Sequence, residues 1–402
     1  MSFSKRMAQA EVVVTGMGVI SPLESGEGLA AFWKAACEGK DAVASIDIFD
    51  AAPYATHVAA EVRGGFVTSE KGQSRLYEKR WQAFIEHAFA EALKDAGLNI
   101  QPDCARTGIV LGTVLGGIAE GEKVWRAGSS ALPDGYRLSS GAELLAKAYG
   151  IGGTILTISN ACASGTDAIG MAYRHIATGR ADVMIAGGGD ALSEFAFSGF
   201  SSLGALTKDL VRPFDKDRSG LALGEGAAFL VLERKAAAEA RGARIYGAIN
   251  GYASAADANH MTGPDREGKG LASAITRALT EAGLEQVGYI SAHGTGTPYN
   301  DLMETKAIKR AFGAYASRLP ISSIKSMIGH SFGAAGAIEA VTCLKAIESS
   351  VVPPTVNLEK DDPECDLDYV KGRARNIVVD SAVSLSSGFG GQNSALVFSG
   401  LQ

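Results

Sequence analysis

The run 154-TILTISNACASGTDAIG-170 reads in three parts. Thr154 to Ser159 is apolar and rich in β-branched residues, the composition of a buried strand. Residues 161–165 are small, which suits a tight turn. From Ala163 onward, apolar residues recur at helical spacing as far as Ile176. Strand, turn and helix in this order form the building unit of α/β proteins. Cys162 stands in the turn, where Ala161, Ala163, Ser164 and Gly165 leave its sulfur almost no cover. A packing cysteine would sit among larger apolar side chains. The partial positive charge at a helix N-terminus favours thiolate, so Cys162 is expected to be a nucleophile drawn toward its reactive form.

The same alternation extends both ways. Strand-like runs 12-VVVTG-16, 108-GIVLG-112 and 183-VMIAGGG-189 flank predicted helices at Leu76 to Leu98 and Ser164 to Ile176. A second set follows: 227-AAFLVLE-233, 244-RIYGAINGYA-253, 288-GYISAHG-294, 319-LPISS-323, 379-VDSAVSLSSG-388 and 394-SALVFSG-400. Helices are predicted there at about 268–283, 302–312 and 333–348. The polar, Ala-rich segment 234-RKAAAEARGAR-244 marks a boundary, giving halves 1–240 and 241–402. The halves echo one another. Each carries a small-residue turn before a helix, 159-SNACASG-165 in the first and 329-GHSFGAAG-336 in the second.

Composition narrows the function. A 46% apolar chain of 402 residues supports a large core. The balance of 38 basic and 44 acidic residues, net −6, disfavours nucleic acid as a partner. Five scattered cysteines without a C-x-x-C pair argue against a disulfide framework or a zinc site and fit a reducing compartment. The opening residues show no signal peptide, and no run of about 20 apolar residues exists to span a membrane. A soluble cytoplasmic protein is expected.

Two of the six histidines stand out. His293 closes a strand in 291-SAHGTGTPYND-301, and His330 is expected to open a helix in 325-KSMIGHSFGAAGAIE-339. Both sit among Gly, Ser and Thr, where binding sites form. Lys325, five residues before His330, is placed to tune a histidine's charge. His57, His87 and His175 read as structural. The run 16-GMGVIS-21 imitates the start of a dinucleotide-binding loop, but Ser21 replaces the third glycine and Pro22 follows, so no nicotinamide cofactor is expected.

A cysteine and two histidines at strand ends, in this order, resemble a family. The segments 12-VVVTGMGVISPL-23, 161-ACASG-165, 212-RPFDKDRSGLALGEGAA-228, 293-HGTGTPYND-301, 325-KSMIGHSFGAAGAIE-339 and 388-GFGGQN-393 are similar to β-ketoacyl-acyl-carrier-protein synthases of the synthase II type. The likeness runs along nearly the whole chain. It implies the thiolase-like fold, two pseudo-duplicated α/β halves in five layers (αβαβα). It also implies a decarboxylative Claisen condensation that elongates a fatty acid. Cys162 would carry the acyl group, with the backbone N–H groups of Cys162 and Phe389 facing its oxyanion. His293 and His330 would stabilise the malonyl-derived enolate. Lys325 would organise them, with Glu339 as its partner, while Asp301 and Glu304 support the loop.

The resemblance also assigns Thr262, Thr295 and Thr297 to the phosphopantetheine arm, which arrives on the acyl carrier protein, so no other cofactor and no metal is needed. Arg75, Lys79 and Arg80, with Arg212 and Lys216, match the carrier-docking region. The family implies a homodimer, or a heterodimer with a chain-length factor. Three departures concern substrate. Leu115 matches the gate of the acyl pocket, but Val114 adds bulk where glycine is common, which predicts short or medium chains. Ser387 and Gln392 replace a common Phe and Thr. The segment 203–215 is shorter than usual. These leave a secondary-metabolite ketosynthase, for polyene or polyketide chains, as the alternative to fatty acid elongation. An inactive pocket-shaping subunit is a third, opposed by the intact Cys162, His293 and His330.

Overall fold

The computed structural model describes residues 10–64, 77–100 and 104–401. Ten strands share one hydrogen-bonded sheet. They are β1 (Val12–Ile20), β2 (Thr107–Gly112), β3 (Ile155–Ile158), β4 (Val183–Asp190) and β5 (Gly226–Arg234), then β6 (Gly247–Ala256), β7 (Tyr289–Ser291), β8 (Ile321–Ser322), β9 (Ser381–Gly388) and β10 (Gln392–Ser399). The helices that matter for the site are α1 (Arg80–Asp95), α2 (Ser164–Ala177), α3 (Glu194–Ser202), α4 (Lys269–Ala282), α5 (Pro298–Phe312) and α6 (Ala335–Ser349).

The strand order is β8-β7-β9-β10-β6-β1-β5-β4-β2-β3. Read from either edge to the centre, each set of five runs third, second, fourth, fifth, first. Pairing repeats as well. In the first set β2 lies parallel to β3 and β4, and β5 runs antiparallel to β4 and β1. In the second set β7 lies parallel to β8 and β9, and β10 runs antiparallel to β9 and β6. One chain path is therefore used twice. The two sets join through a short antiparallel register between β1 and β6, from Val12↔Ile249 to Val14↔Gly247.

Buried strands explain the near-continuous apolar runs of the sequence. Along β5, Ala228, Leu230 and Leu232 enter the central core, while Ala227, Phe229 and Val231 face α1 on the outside. Along β10, Leu396 and Phe398 turn inward, while Ala395 and Val397 face α4 and α5. The period of two sends alternate residues to two different cores. Between the sets lie α2 and α6, each packed on strands of both sets and on the other. Residues Ser164–Gly170 and Ala335–Leu344 are buried without a break, as a helix enclosed on all sides requires. The result is five layers: α1, the first strand set, α2 with α6, the second strand set, and α4 with α5.

Some elements differ from their sequence-based bounds. The run 16-GMG-18 lies inside β1, not in a turn. The helix predicted from Leu76 begins at Arg80, and residues 65–76 lie outside the described residues. His330 does not open the long helix. It follows the short helix Lys325–Ile328 and precedes a turn that leads into α6. No described helix is long and apolar enough to cross a membrane.

Candidate active site

Three parallel strands in each set deliver their C-terminal ends to one place, the usual position of a site in such sheets. The first set supplies the turn 113–116 after β2, Cys162 after β3 and Asp190 at the end of β4. The second supplies His293 after β7, Lys325 and His330 after β8, and Phe389 after β9.

Cys162 sits on a strained turn. Ala161 has φ 48°, in the left-handed region that costs energy for a residue with a Cβ. Ser164, the first residue of α2, locks the turn. Its Oγ accepts from Asn160 N at 2.8 Å and donates to Ala161 O at 2.6 Å. The β9–β10 turn presses on it from the second half. A Cβ at Gly388 would lie 3.0 Å from Cys162 N, so glycine is what permits the approach.

His293 is held by its backbone. Glu304, buried in α5, accepts His293 N at 2.6 Å and Gly294 N at 2.8 Å. Asp301, in the first turn of α5, accepts Thr295 N at 3.1 Å and Phe214 N at 2.8 Å. Burial pushes Glu304 up to about 8, against the pull of these N–H groups. His330 is pinned the same way: its N donates to Ala222 O at 2.8 Å, and Gly224 N donates to its O at 2.9 Å. Its imidazole is buried, with neither ring nitrogen partnered. The His293 and His330 rings stand nearly perpendicular at 88°, their centres 5.3 Å apart. One donor atom from each imidazole and the Cys162 sulfur lie within 4.8 Å of one another.

Lys325 is 1% exposed, and its Nζ lies 3.3 Å from His293 Nδ1. It also forms an ion pair with Glu339 on α6, whose carboxyl burial pushes up to about 7. Burial first, then the Lys325 charge, then His330, hold His293 well below the usual imidazole range. Burial and Lys325 do the same to His330. Both rings are therefore neutral at neutral pH. Burial also pushes the Cys162 thiol up to about 11, outweighing Lys325 and the backbone N–H groups of Phe389 and Cys162. The expectation of a helix-stabilised thiolate is corrected: the resting group is a thiol. The three donors are of types that hold thiophilic metals, but the ammonium beside His293 opposes a cation there.

Cys162, His293 and His330 line a cleft of about 810 Å³ whose wall reaches the exposed Tyr299. Thr262, Thr295, Thr297 and Phe389 share the lining, and Thr295 Oγ1 lies 2.9 Å from Thr297 Oγ1. Val114 and Leu115 do not line the cleft. They are half-buried against Leu192, Phe197 and Phe332 in the adjoining apolar cluster.

The docking residues separate. Lys79 pairs with Glu120 at 2.8 Å, Arg212 with Asp209 at 3.1 Å, and Lys216 is exposed. Arg75 lies outside the described residues. Arg80 is a correction. It is 2% exposed, forms an ion pair with the buried Glu225 and donates to Val62 O at 2.9 Å. A charge so enclosed cannot meet a docking partner. Sequence reading also missed two residues. Asp190 was signalled only as an acid ending an apolar strand. Phe200, which stacks on Phe389 at 5.4 Å, looks like any core aromatic on a helix.

Comparison with known proteins covers both halves. The family model for the beta-ketoacyl synthase N-terminal domain matches residues 9–238, and that for the C-terminal domain matches residues 246–359. The chain is 40% identical to the tetracenomycin polyketide synthase ketoacyl synthase alpha subunit of Streptomyces glaucescens, over 98% of this chain and 97% of that one. It is 41% identical to the 3-oxoacyl-[acyl-carrier-protein] synthase 2 of Synechocystis sp., over 98% of both. Among solved structures, the ishigamide ketosynthase/chain length factor superposes with a TM-score of 0.90 at 35% identity, over 98% of this chain and 100% of that one. Family models matched in both halves, and relatives aligned over 98% of this chain, make it a member of the beta-ketoacyl synthase family, condensing acyltransferases of the thiolase-like superfamily.

Proposed function

We propose that this chain condenses an acyl group held on Cys162 with a malonyl unit brought by acyl carrier protein, extending polyene or polyketide chains by two carbons. The triangle of Cys162, His293 and His330 inside one cleft is the observation that carries the reading.

In the first half-reaction the Cys162 sulfur attacks the acyl thioester. Its proton passes to a neighbouring imidazole and then to the departing phosphopantetheine thiol. The oxyanion formed faces the N–H groups of Cys162 and Phe389. In the second half-reaction the malonyl carboxyl leaves as carbon dioxide. The electron pair of the broken bond becomes an enolate, whose oxygen accepts N–H from His293 and His330. The enolate carbon then bonds to the acyl carbon, the carbon–sulfur bond at Cys162 breaks, and the sulfur takes a proton from solvent. An ammonium only donates, so Lys325 fixes His293 Nδ1 as an acceptor and leaves its proton on Nε2. The phosphopantetheine arm comes with the carrier along Thr262, Thr295 and Thr297, and no metal takes part. Exposed Lys216, with Arg212 beside it, meets the acidic carrier.

A second chain of the same fold completes the enzyme. The edge strand β3 exposes Ile155 (41%) and Leu156 (36%), an open apolar edge that calls for cover. The likeness to the ishigamide ketosynthase/chain length factor supports a chain-length factor as that second chain. The likeness to the Synechocystis 3-oxoacyl-[acyl-carrier-protein] synthase 2 favours a second reading, fatty acid elongation, in which the second chain would be another copy of this one. Intact-protein mass spectrometry with acyl carriers of graded length tests the function, with Cys162→Ala as control. Acyl mass on the wild type alone, weighted to short chains, is the expected result. No adduct with or without a partner subunit would overturn the proposal, and efficient elongation of long chains by the chain alone would favour the second reading.

A further inference from the structure

Asp190 is fully buried, and its two oxygens are crowded with donors. Oδ1 accepts from Thr113 Oγ1 at 2.6 Å, Leu115 N at 2.9 Å and Gly116 N at 3.2 Å. Oδ2 accepts from Val114 N at 2.9 Å and Gly333 N at 2.7 Å. Burial pushes its pKa up, yet every partner donates, so the geometry selects the ionised carboxylate.

Four of these donors belong to the turn 113–116, which carries Val114 and Leu115. The fifth lies three residues beyond His330. Gly333 is gripped from its other side as well. A Cβ at Gly165 would stand 2.5 Å from its carbonyl oxygen, and one at Gly188 would stand 2.1 Å away. Between His330 and Gly333, Phe332 has φ 51° and its ring stacks on the His330 imidazole at 6.0 Å. The segment from His330 to Gly333 is thus seated in the first half of the molecule. The same oxygen, Oδ2, holds both Val114 and Gly333.

We propose that Asp190 is a positioning residue that makes the turn 113–116 and the His330 turn one unit, so that the chain lodged against Val114 and Leu115 sets how well His330 supports decarboxylation. This rests on the roles given above to Cys162 and His330, and on an acyl chain that passes beyond the cleft into the adjoining apolar cluster of Val114 and Leu115. A chain long enough to displace Val114 pulls on the oxygen that holds Gly333, and so moves His330. The carboxylate also acts through space. Its charge helps to hold the Cys162 thiol protonated, against Lys325, with the neutral His293 and His330 as the other titratable groups at the sulfur.

The test is Asp190→Asn, which keeps the size, removes the charge and turns an amide donor toward backbone N–H groups. Malonyl decarboxylation is expected to lose about tenfold or more in kcat, with KM for the malonyl carrier changed less than about twofold. The chain-length profile of Cys162 acylation should broaden in the same variant. Alkylation of Cys162 by iodoacetamide should move to lower pH. A change in decarboxylation or in length profile without the other, or an alkylation curve that stays in place, overturns the proposal. Thr113→Val removes one bond and keeps the charge, which covers the case of an unfolded Asp190→Asn. Its decarboxylation rate and length profile should shift together while the alkylation curve stays. A shift in only one of them, or in neither, overturns the proposal. Alkylation needs no carrier. A wild type that never takes up acyl would sink the proposed function, yet the alkylation curve would still judge the charge of Asp190.

Discussion

Lys325 places its ammonium 3.3 Å from Nδ1 of His293 and shares its charge with Glu339 on the opposite side. The pair keeps a cation beside an imidazole that the proposed reaction uses in its neutral form, and burial alone would not fix which ring nitrogen holds the proton. Lys325→Ala removes that choice. Glu339, already pushed up by burial, should become protonated and stay buried. Malonyl decarboxylation is expected to fall roughly 10²-fold, with a smaller loss in acyl transfer to Cys162.

The same variant has a pH signature. In the wild type His293 is held well below 6.5, so its neutral form persists into mild acid. Without Lys325 the imidazole pKa rises, and protonation sets in nearer neutrality. The acid limb of the decarboxylation rate should therefore move to higher pH. An unshifted limb would show that Lys325 does not set the charge of His293.

Alkylation of wild-type Cys162 offers a second pH test. With the thiol pushed up to about 11, the thiolate fraction rises about tenfold per pH unit over the accessible range. Iodoacetamide labelling of Cys162, followed by peptide mass spectrometry, should keep rising through pH 9. A plateau near pH 8 would contradict the role given to burial.

Arg80 and Lys216 should part company on mutation. Arg80→Ala leaves Glu225 charged and buried, a loss of about 3–5 kcal/mol that urea unfolding would read. Lys216→Glu changes an exposed charge, so stability should move by less than about 0.5 kcal/mol. Its effect should instead be a several-fold rise in KM for the carrier. Equal KM for Lys216→Glu and wild type would remove Lys216 from the docking surface.

Val114→Gly deletes bulk from the cluster formed with Leu192, Phe197 and Phe332. The cavity should cost about 1–3 kcal/mol of stability. Longer acyl groups should then accumulate on Cys162, as read by intact mass. A length profile identical to the wild type would mean that Val114 does not bound the acyl pocket.

Much of this was legible in the sequence because buried strands and enclosed helices leave a strong mark. Most of the ten strands stand out as apolar runs because both faces carry core residues, as in β5 and β10, whereas β3 reads as a buried strand although its Ile155 and Leu156 lie exposed at the sheet edge. The convergence of Cys162, His293 and His330 was legible because a cysteine and histidines among small residues have no packing explanation. Charge pairing over long separations was not. Arg80 reads as a helix-face cation until Glu225, 145 residues away, is folded against it. The Cys162 thiol was misjudged for a related reason. A helix end can be read from local sequence, whereas the burial that opposes it comes from both halves. Asp190 escaped notice because its donors are mostly backbone N–H groups, which carry no residue signature.

The repeated chain path divides the chemistry between its two copies. Cys162 follows the third strand of the first set, and Lys325 with His330 follows the third strand of the second. Two identical half-length chains would have to carry both kinds of residue at every such corner, because each substitution would appear twice. Joining the copies in one chain lifts that constraint. One corner is then free to serve as the proposed nucleophile and the matching corner as the proposed proton donor, and each accumulates changes that the other never shares.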